Sequence, residues 1–569
     1  MTSLRVEASR CCHSRARPSR SWLCMLVVFT LSGACIAEEI SGPVEGEVSL
    51  RQEALGDTTP IAWAACPSDF ASECAWVAQP LDHSDPNGKA LPIFVSRRPA
   101  QSGHAKAQLW FLQGGPGASG NIFTGFTEAI AELLPEFDLY VLEHRGVGES
   151  ARLGCDQQES QLSEDGNSIA PDEWPACVES VKAQWGEDLA HFTTTQDAYD
   201  LGSLIARTRK HDQQVFVYGV SYGTTRALRF LQTHPDLVDG VILDSVVSPS
   251  VQYLSQFDTQ FDAVAKDLAR LCAADPVCGE KMGSDPWSKI LELLQKLQLG
   301  HCPGFLHRSI VQDGFAQLLM TRELRTHIFP LTYRLDRCKP EDIAVIENYF
   351  ASFSELFEQE GRVDRESLVL QKHIALSELW EEPAPSLDTL VERCDSQVLC
   401  PGVGTDVGLV TPYWPRYEHD QFAGKWPETD TPILAMNGTL DPQTPLETAI
   451  AAADHLTGEH QHFVTVPWSP HGVAYSTPVS TEGAPPCGVQ LIYHFVTAPQ
   501  AEPDTSCLST LLPPFTPDPA VDAQLFGSTD VWDNSPGEQP SAAPSQALAG
   551  IQGRAFQVRP LSVQRIALP

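Results

Sequence analysis

A serine stands between glycines directly after an apolar run, in the stretch VFVYGVSYGTTRA at 215–227. The G-x-S-x-G spacing of Gly219, Ser221 and Gly223 is typical of a sharp turn from a β-strand into an α-helix. At the apex of such a turn the serine is held in a strained conformation, so both neighbours must lack side chains. The motif therefore predicts a strand before Ser221, a helix after it, and a hydroxyl lifted clear of a sheet.

The rest of the chain supplies strands and helices in alternation. Short apolar runs bounded by turn residues predict strands, and several segments between them have helical spacing, such as 195–210, for which Thr195 is the expected cap. Alternation of this kind predicts an α/β fold with a mostly parallel sheet covered by helices on both faces. The predicted strands are CAWVAQPL (74–81), LPIFVSRR (91–98), AQLWFLQ (107–113), DLYVLEHR (138–145), QVFVYG (214–219), GVILDS (240–245), TPILAMNG (431–438) and HFVTVP (462–467).

The alternation stops between about 250 and 410, where the sequence is helical throughout, as in FDAVAKDLARLC and SKILELLQKLQL. We expect 251–409 to form a helical cap inserted between two strands of a discontinuous core at 60–250 and 410–530. The last segment, 534–569, is rich in proline, serine and alanine, which predicts a loosely held tail.

The first 37 residues have the order of a secretory signal peptide. Arginines precede the apolar stretch WLCMLVVFTL, small residues follow in SGACIA, and Glu38 and Glu39 come next. Cleavage after Ala37 predicts a protein exported to the periplasm or the extracellular space, with no stable membrane span afterwards. A lipid anchor on Cys35 is the alternative, although the leucine of LSGAC stands one residue too far upstream of the usual lipobox.

The cysteines agree with export. Four of the 16 lie in the signal segment, and the remaining twelve are an even number, as expected of a chain that forms disulfides. Short loops favour pairing between neighbours along the sequence, although spacing alone leaves other connectivities open. The expected pairs are Cys66 with Cys74, Cys155 with Cys177, Cys272 with Cys278, Cys302 with Cys338, Cys394 with Cys400, and Cys487 with Cys507.

Composition and spacing argue against several partners. The formal net charge of -35 and the pI near 4.7 disfavour nucleic acid, because phosphate binding needs a basic face. No two cysteines have the C-x-x-C spacing of structural zinc sites, and the histidines of HLTGEHQH at 455–462 are interpreted as surface residues. We therefore expect no metal and no cofactor.

The partners that a nucleophilic serine needs follow the helical region, in the order Ser, Asp, His. Asp441 and His471 each stand just after a predicted strand. A serine hydroxyl is a poor nucleophile near neutral pH, so we assign His471 as the base and Asp441 as the group that fixes the imidazole tautomer and stabilises the imidazolium. The competitors are Asp244, which we expect to support a loop, and His462, which we expect to lie within the last strand.

A glycine loop, GGPGASG at 114–120, follows the predicted strand AQLWFLQ. Backbone N–H groups that stabilise a developing oxyanion need such a loop, because side chains would obstruct them. We expect Gly115 and Tyr222 to donate these two N–H groups, since Pro116 has none. A nucleotide-binding loop is disfavoured, because the segment lacks both the Lys-Ser/Thr ending of a P-loop and the G-x-G-x-x-G fingerprint.

Five motifs in this order, GGPGASG, EHRGVGES, GVSYGT, NGTLDPQTP and PHG, resemble the secreted α/β-hydrolases related to tripeptidyl aminopeptidases and prolyl iminopeptidases. The resemblance spans roughly 75–510. It implies an α/β-hydrolase fold and a serine peptidase that releases short peptides or single residues from free N-termini under a helical cap. Gln113 stands where prolyl iminopeptidases tend to carry histidine, which suggests the tripeptidyl branch. Glu143 replaces the usual aspartate and is expected to keep its buried role.

An exopeptidase of this kind must also recognise the ammonium group of its substrate, a task that suits carboxylates. The segment HIALSELWEEP resembles the part of the cap where relatives carry such a glutamate, which makes Glu378 the candidate and Glu381 and Glu382 the runners-up. An ordinary solvated helix face is the alternative interpretation. Thr444 is interpreted as a helix cap that could also orient the aspartate loop.

Two other functions remain open on the sequence alone. The same site would serve an esterase or lipase, since hydrolysis of esters and amides uses the same serine machinery. The chain could also be an inactive surface-binding module, which the presence of Ser221, Asp441 and His471 disfavours.

Overall fold

A computed structural model describes residues 60–67, 72–159, 169–302, 306–358 and 366–533. The predicted signal peptide at 1–37, with Cys35, and the predicted tail at 534–569 lie outside these residues. Within the described ranges, no helix is both long enough and apolar enough to cross a membrane.

One sheet of nine strands forms the centre of the fold. The strands are β1 (Ala64–Ala65), β2 (Glu73–Pro80), β3 (Ala90–Arg98), β4 (Ala107–Leu112), β5 (Phe137–Leu142), β6 (Gln214–Val220), β7 (Gly240–Asp244), β8 (Ile433–Gly438) and β9 (Gln461–Val466). They lie in the order β1-β2-β3-β5-β4-β6-β7-β8-β9. The pairs β1·β2, β2·β3 and β3·β5 are antiparallel, and all the others are parallel. All eight predicted strands are confirmed.

Sixteen α-helices accompany the sheet in the described part of the chain. They are α1 (Phe123–Leu133), α2 (Trp174–Trp185), α3 (Thr194–Thr208), α4 (Tyr222–Thr233), α5 (Phe261–Ala274), α6 (Pro276–Met282), α7 (Pro286–Gln298), α8 (Arg308–Met320), α9 (Ile328–Arg337), α10 (Pro340–Glu358), α11 (Leu368–Glu378), α12 (Leu387–Ser396), α13 (Val403–Gly408), α14 (Leu446–Ala449), α15 (Cys487–Thr497) and α16 (Pro519–Phe526).

Alternate residues of each central strand belong to two different apolar clusters. In β6, for example, Val215 and Val217 pack with residues of α3 and α4, whereas Phe216 and Tyr218 pack with residues of α1 and α15. Successive side chains of a strand point to opposite faces, so helices cover both sides of the sheet. This arrangement confirms the predicted α/β architecture.

The segment between β7 and β8 (residues 245–432, hereafter the helical insert) contains helices and no strand in its described part. Helices α5 to α10 build a separate apolar cluster. Val521 and Leu525 of α16 join that cluster, so the end of the described chain packs against the insert although the sequence assigned it to the core. The predicted boundaries at 250 and 410 stay predictions.

The structure contains the six disulfides expected from neighbour pairing: Cys66–Cys74, Cys155–Cys177, Cys272–Cys278, Cys302–Cys338, Cys394–Cys400 and Cys487–Cys507. That prediction is confirmed.

The expected cap of α3 was wrong by two residues. Thr193, not Thr195, precedes the helix in extended conformation, and its hydroxyl accepts a hydrogen bond from the Gln196 N–H at 3.1 Å. Thr195 lies inside the first turn, where its hydroxyl instead accepts a hydrogen bond from Arg229. Three threonines in succession offered equivalent caps, and the Arg229 side chain occupies the third.

Candidate active site

Ser221 lies at the junction of β6 and α4, with φ of 59° and ψ of -130°. A non-glycine residue in this region of backbone space costs about 1–3 kcal/mol, which the surroundings must hold in place. Both flanking glycines are sterically required: a Cβ on Gly219 would lie 2.2 Å from the Gly223 carbonyl oxygen, and a Cβ on Gly223 would lie 2.1 Å from the Leu112 carbonyl oxygen. The sharp turn predicted from the motif is present.

The glycine loop packs directly against this turn. A Cβ on Gly114 would lie 2.7 Å from the Ser221 Cβ and 3.0 Å from the Tyr222 backbone nitrogen. Gly115 has φ of +110°. Among the described residues, the N–H groups of Gly115 and Tyr222 donate to no other protein group. An oxyanion hole requires two N–H groups without other acceptors, and the assignment of Gly115 and Tyr222 to that role stays a prediction.

His471 and Asp441 form a buried pair at the carboxyl ends of β9 and β8. The Nδ1–H of His471 donates to Oδ2 of Asp441 at 2.9 Å, and both side chains are almost inaccessible to solvent. The N–H groups of Gln443 and Thr444 also donate to Asp441, at 2.9 and 3.0 Å. Burial tends to raise the pKa of Asp441, but the His471 charge and these hydrogen bonds outweigh it and hold the pKa below its usual value.

The other ring nitrogen of His471 is available for chemistry. Nε2 is buried and has no hydrogen-bond partner among the described residues, Ser221 included. Two contacts bring the serine turn and the histidine loop to the same strand end: the Ser221 N–H donates to the Asp244 carbonyl at 3.0 Å, and the Gly472 N–H donates to the Ser245 hydroxyl at 2.8 Å. Hydrogen bonds between nucleophile and base often close only when substrate binds.

Asp244, the competing acid, contacts the histidine loop rather than the ring. Its carboxylate accepts the N–H groups of Val473 and Ala474 at 2.7 and 2.8 Å and the Tyr218 hydroxyl at 2.7 Å. Burial raises its pKa. This is the loop-supporting geometry that the sequence suggested. His462, the other competitor, lies in β9 as expected.

The EHRGVGES motif supplies a buried carboxylate that accepts hydrogen bonds from the glycine loop. Glu143 is buried and accepts hydrogen bonds from the Ser119 hydroxyl, the Gly120 N–H at 2.8 Å and the Glu149 N–H at 3.1 Å. Gln113 caps the loop from the other end, because its side-chain oxygen accepts the Gly114 N–H at 2.9 Å. The longer glutamate thus occupies the buried position expected for the family's aspartate.

Thr444 does not cap a helix. Helix α14 begins at Leu446 after Pro445, and no side chain caps it. The Thr444 hydroxyl donates instead to Oδ2 of Asp441 at 2.8 Å. The cap interpretation was wrong because this hydroxyl is already committed to the aspartate, whereas the suggested contact with the aspartate loop is present.

Glu378 is linked to Tyr222 through Thr194, whose hydroxyl lies 2.8 Å from the Tyr222 hydroxyl. Its Oε2 accepts a hydrogen bond from Arg229 at 2.8 Å, and its Oε1 accepts the Tyr417 hydroxyl at 2.6 Å and the Thr194 N–H at 3.3 Å. The Arg229 charge holds the pKa of Glu378 below its usual value although burial opposes this. The carboxylate lines a cavity of about 180 Å³ that Ser221, Asp441 and His471 do not line.

The two runners-up also have arginine partners. Arg393 donates to Glu381 at 2.5 Å, and Arg416 donates to the largely exposed Glu382 at 2.7 Å. The structure therefore brings the serine, the aspartate, the histidine and the glycine loop to one end of the sheet, and places the three candidate glutamates in ion pairs with arginines.

Two family models match the chain, one after the other. Residues 109–296 match the model of the α/β hydrolase fold, and residues 408–507 match the model described as TAP-like protein. The first range contains Ser221 and the glycine loop, and the second contains Asp441 and His471. Both matched ranges therefore contribute residues to the candidate site.

Curated relatives point in the same direction. Tripeptidyl aminopeptidases of Streptomyces lividans and Streptomyces coelicolor are each 28% identical over 274 residues, which is 43% of this chain and 51% and 50% of those proteins. Serine protease Hip1 of Mycobacterium tuberculosis is 26% identical over 307 residues, which is 50% of this chain and 56% of that protein. The chain thus spans about half the length of the curated relatives it matches. Sheet order, serine turn and family models together show that this chain has the α/β-hydrolase fold, and that residues 408–507 are similar to TAP-like proteins.

Proposed function

We propose that the chain is an exported serine exopeptidase of the tripeptidyl-aminopeptidase type, which releases short peptides or single residues from free N-termini. The observation that carries the proposal is the buried Asp441–His471 pair. Nε2 of His471 has no hydrogen-bond partner among the described residues, and the loop that carries His471 lies at the same strand end as Ser221. The relatives named above are peptidases, which favours peptides over simple esters as substrates.

The residues divide the chemistry between them. The Ser221 oxygen attacks the carbonyl carbon of the scissile bond while His471 Nε2 takes the hydroxyl proton, and Asp441 stabilises the imidazolium that forms. The N–H groups of Gly115 and Tyr222 donate to the oxygen that becomes negative. His471 returns the proton to the departing amine, which leaves an acyl-enzyme on Ser221. Water, deprotonated by the same histidine, then hydrolyses this ester and frees the serine.

Recognition of a free N-terminus belongs to the proposal, and Glu378 stays its predicted ligand. Each carboxylate oxygen can accept two hydrogen bonds, and Oε2 of Glu378 accepts only one from the described residues, that of Arg229. The cavity beside it also carries Glu418 and Asp420, so carboxylates outnumber the single arginine there. An ammonium group suits such a cavity, although the Arg229 ion pair competes with it.

Six disulfides are consistent with export, because thiols stay reduced in the cytosol. We propose the periplasm or the extracellular space as the destination, with lipid attachment at Cys35 as the alternative. The mass of the mature N-terminal peptide decides between the two.

The experiment has two steps on the secreted protein. First, a fluorophosphonate probe should label the wild type but not Ser221→Ala, and His471→Ala should label far more slowly. Second, matched peptides with free and acetylated N-termini, analysed by mass spectrometry beside a p-nitrophenyl ester, identify the reaction. Cleavage of the free peptides alone is expected. Turnover confined to the ester would refute the peptidase proposal, and absence of labelling would refute a serine hydrolase altogether.

A further inference from the structure

Arg325 is a fully buried arginine without a carboxylate partner among the described residues. Its side chain belongs to the helical insert, in the turn between α8 and α9, and is inaccessible to solvent. Its one hydrogen bond runs from Nη2 to the Trp468 carbonyl oxygen at 2.7 Å, while Nε and Nη1 have no partner in the described part of the chain.

Other buried arginines of the protein form ion pairs. Arg145 pairs with Asp200 at 2.7 Å, Arg226 with Asp197 at 2.8 Å, and Arg334 with Asp342 at 3.2 Å.

The unpaired state of Arg325 is energetically unfavourable, because burying a cation without a counter-charge is costly. Burial, together with the nearby charge of Arg322, lowers the pKa of Arg325 to about 9, although the charge of Glu323, which forms no ion pair with it, acts in the opposite direction. An apolar side chain of similar size would fill this position at a lower free-energy cost. The contact with Trp468 therefore needs an explanation other than packing.

Trp468 stands three residues before His471, in the loop that presents the histidine. Its backbone has φ of +60°, a conformation that a bulky residue adopts only when its surroundings hold it. Its N–H donates to the Thr439 hydroxyl at 2.8 Å, and the Leu440 N–H donates to the Ser469 carbonyl at 3.0 Å. The loops that carry Asp441 and His471 are therefore joined to each other, and Arg325 is a contact that joins them to the insert.

We propose that Arg325 is a positioning residue, which fixes the Trp468 carbonyl from the helical insert and thereby aligns His471 with Ser221. The proposal rests on the proposed function, because it assumes that His471 activates Ser221. The Trp468 side chain supports the same coupling, since it packs against both the apolar cluster of the insert and that of the sheet.

The test compares Arg325→Met with Arg334→Met. Arg334 is a matched control: it is a buried arginine of the same insert and also donates to a backbone carbonyl, that of Val531 at 2.8 Å, and its partners Val531 and Asp342 both lie outside the histidine loop. Arg334→Met breaks a buried ion pair and should unfold at a lower temperature, whereas Arg325→Met removes an unpaired buried cation and should be destabilised less. At a temperature where both are folded, Arg325→Met should react with the fluorophosphonate probe about tenfold more slowly than the wild type, since small displacements of a catalytic group have effects of this size. Arg334→Met should react at close to the wild-type rate.

Two further measurements separate positioning from general destabilisation. With a peptide substrate, Arg325→Met should lower kcat and leave KM nearly unchanged, and Arg325→Lys, which keeps a buried donor, should recover part of the rate. If Arg325→Met does not fold, Thr439→Val, which removes the other side-chain contact of the Trp468 backbone, should slow labelling instead. Wild-type labelling rates in the folded Arg325→Met or Thr439→Val protein would overturn the proposal. A wild type that fails to label would refute the proposed function, and this inference with it.

Discussion

The Thr444 hydroxyl donates to Oδ2 of Asp441 at 2.8 Å and lies 3.3 Å from Nδ1 of His471. One side chain thus contacts both members of the buried pair. A hydrogen bond to a charged group contributes about 1.5–3 kcal/mol. Thr444→Val keeps the shape of the side chain and removes the donor, so we expect kcat to fall by roughly tenfold or more, as each change of about 1.4 kcal/mol is a factor of ten.

Thr444→Ser is the matched control, because it keeps the hydroxyl and should retain most of the activity. Steady-state kinetics on one peptide substrate, with melting temperatures for both variants, provide the measurement. Equal activity of the valine and serine variants would show that the hydroxyl does not contribute to catalysis.

Asp244 should be needed for activity although it does not touch the imidazole. Asp244→Ala removes the acceptor of the Val473 and Ala474 N–H groups, and buried donors left without partners cost about 1–3 kcal/mol each. We expect lower thermal stability and a loss of kcat of at least about tenfold, because the histidine loop loses its support. Tyr218→Phe removes only one hydrogen bond to Asp244 and should have a much smaller effect. Enzyme kinetics and thermal unfolding of the two variants test this order, and an Asp244→Ala enzyme with full activity would contradict it.

The stability of the insert should depend on pH through Asp258. Its carboxylate accepts the N–H groups of Val403 and Gly404 at 2.8 and 2.9 Å, but burial raises its pKa to about 7. A raised carboxyl pKa means that folding favours the protonated form. This contribution is therefore fully present below the ordinary value of about 4 and is lost as pH rises to about 7.

Asp258→Asn stays neutral throughout this range. Relative to the wild type, its melting temperature should therefore rise as pH increases from about 5 to about 8. Differential scanning fluorimetry in steps of about one pH unit over this range measures the difference. Parallel profiles of the two proteins would show that Asp258 does not titrate differently on folding.

Glu378 can be tested as a structural residue independently of any role in substrate binding. Among the described residues, Glu378→Gln leaves the buried Arg229 cation with only the more distant Asp420, at 3.8 Å, as a counter-charge. Breaking a buried ion pair costs about 3–5 kcal/mol, so we expect a clear drop in melting temperature. Glu382→Gln, which removes an exposed partner of Arg416, should change stability by less than about 1 kcal/mol.

The substrate profile of Glu378→Gln then addresses the predicted amine contact. A variant that folds and still prefers free over acetylated N-termini would remove Glu378 from the proposed site. A variant that loses this preference at a temperature where it is folded would support the contact.

The strands were predictable because each is a short apolar run bounded by turn residues, and strand order then placed Asp441 and His471 at one sheet edge. Strand β1 was missed because Ala64 and Ala65 form a two-residue, exposed strand without any alternation. The serine turn was predictable for a local reason: both glycines are required by contacts within a few residues of Ser221 or with the neighbouring strand.

Long-range side-chain partners were not predictable in the same way. Arg229 and Glu378 are 149 residues apart, and no local pattern links them. The same holds for Arg325 and Trp468, which are 143 residues apart. Thr193 and Thr195 show the limit at short range, since which of two threonines caps a helix depended on an arginine from another helix.

Each disulfide in the described chain closes a loop of 36 residues or fewer, and none crosses between the helical insert and the rest of the protein. Three bridges lie wholly within the insert and three wholly outside it. Oxidation thus stiffens each part separately. Apart from the two points where the backbone enters and leaves the insert, non-covalent contacts alone join its described residues to the sheet, so a displacement of the insert would require no thiol chemistry.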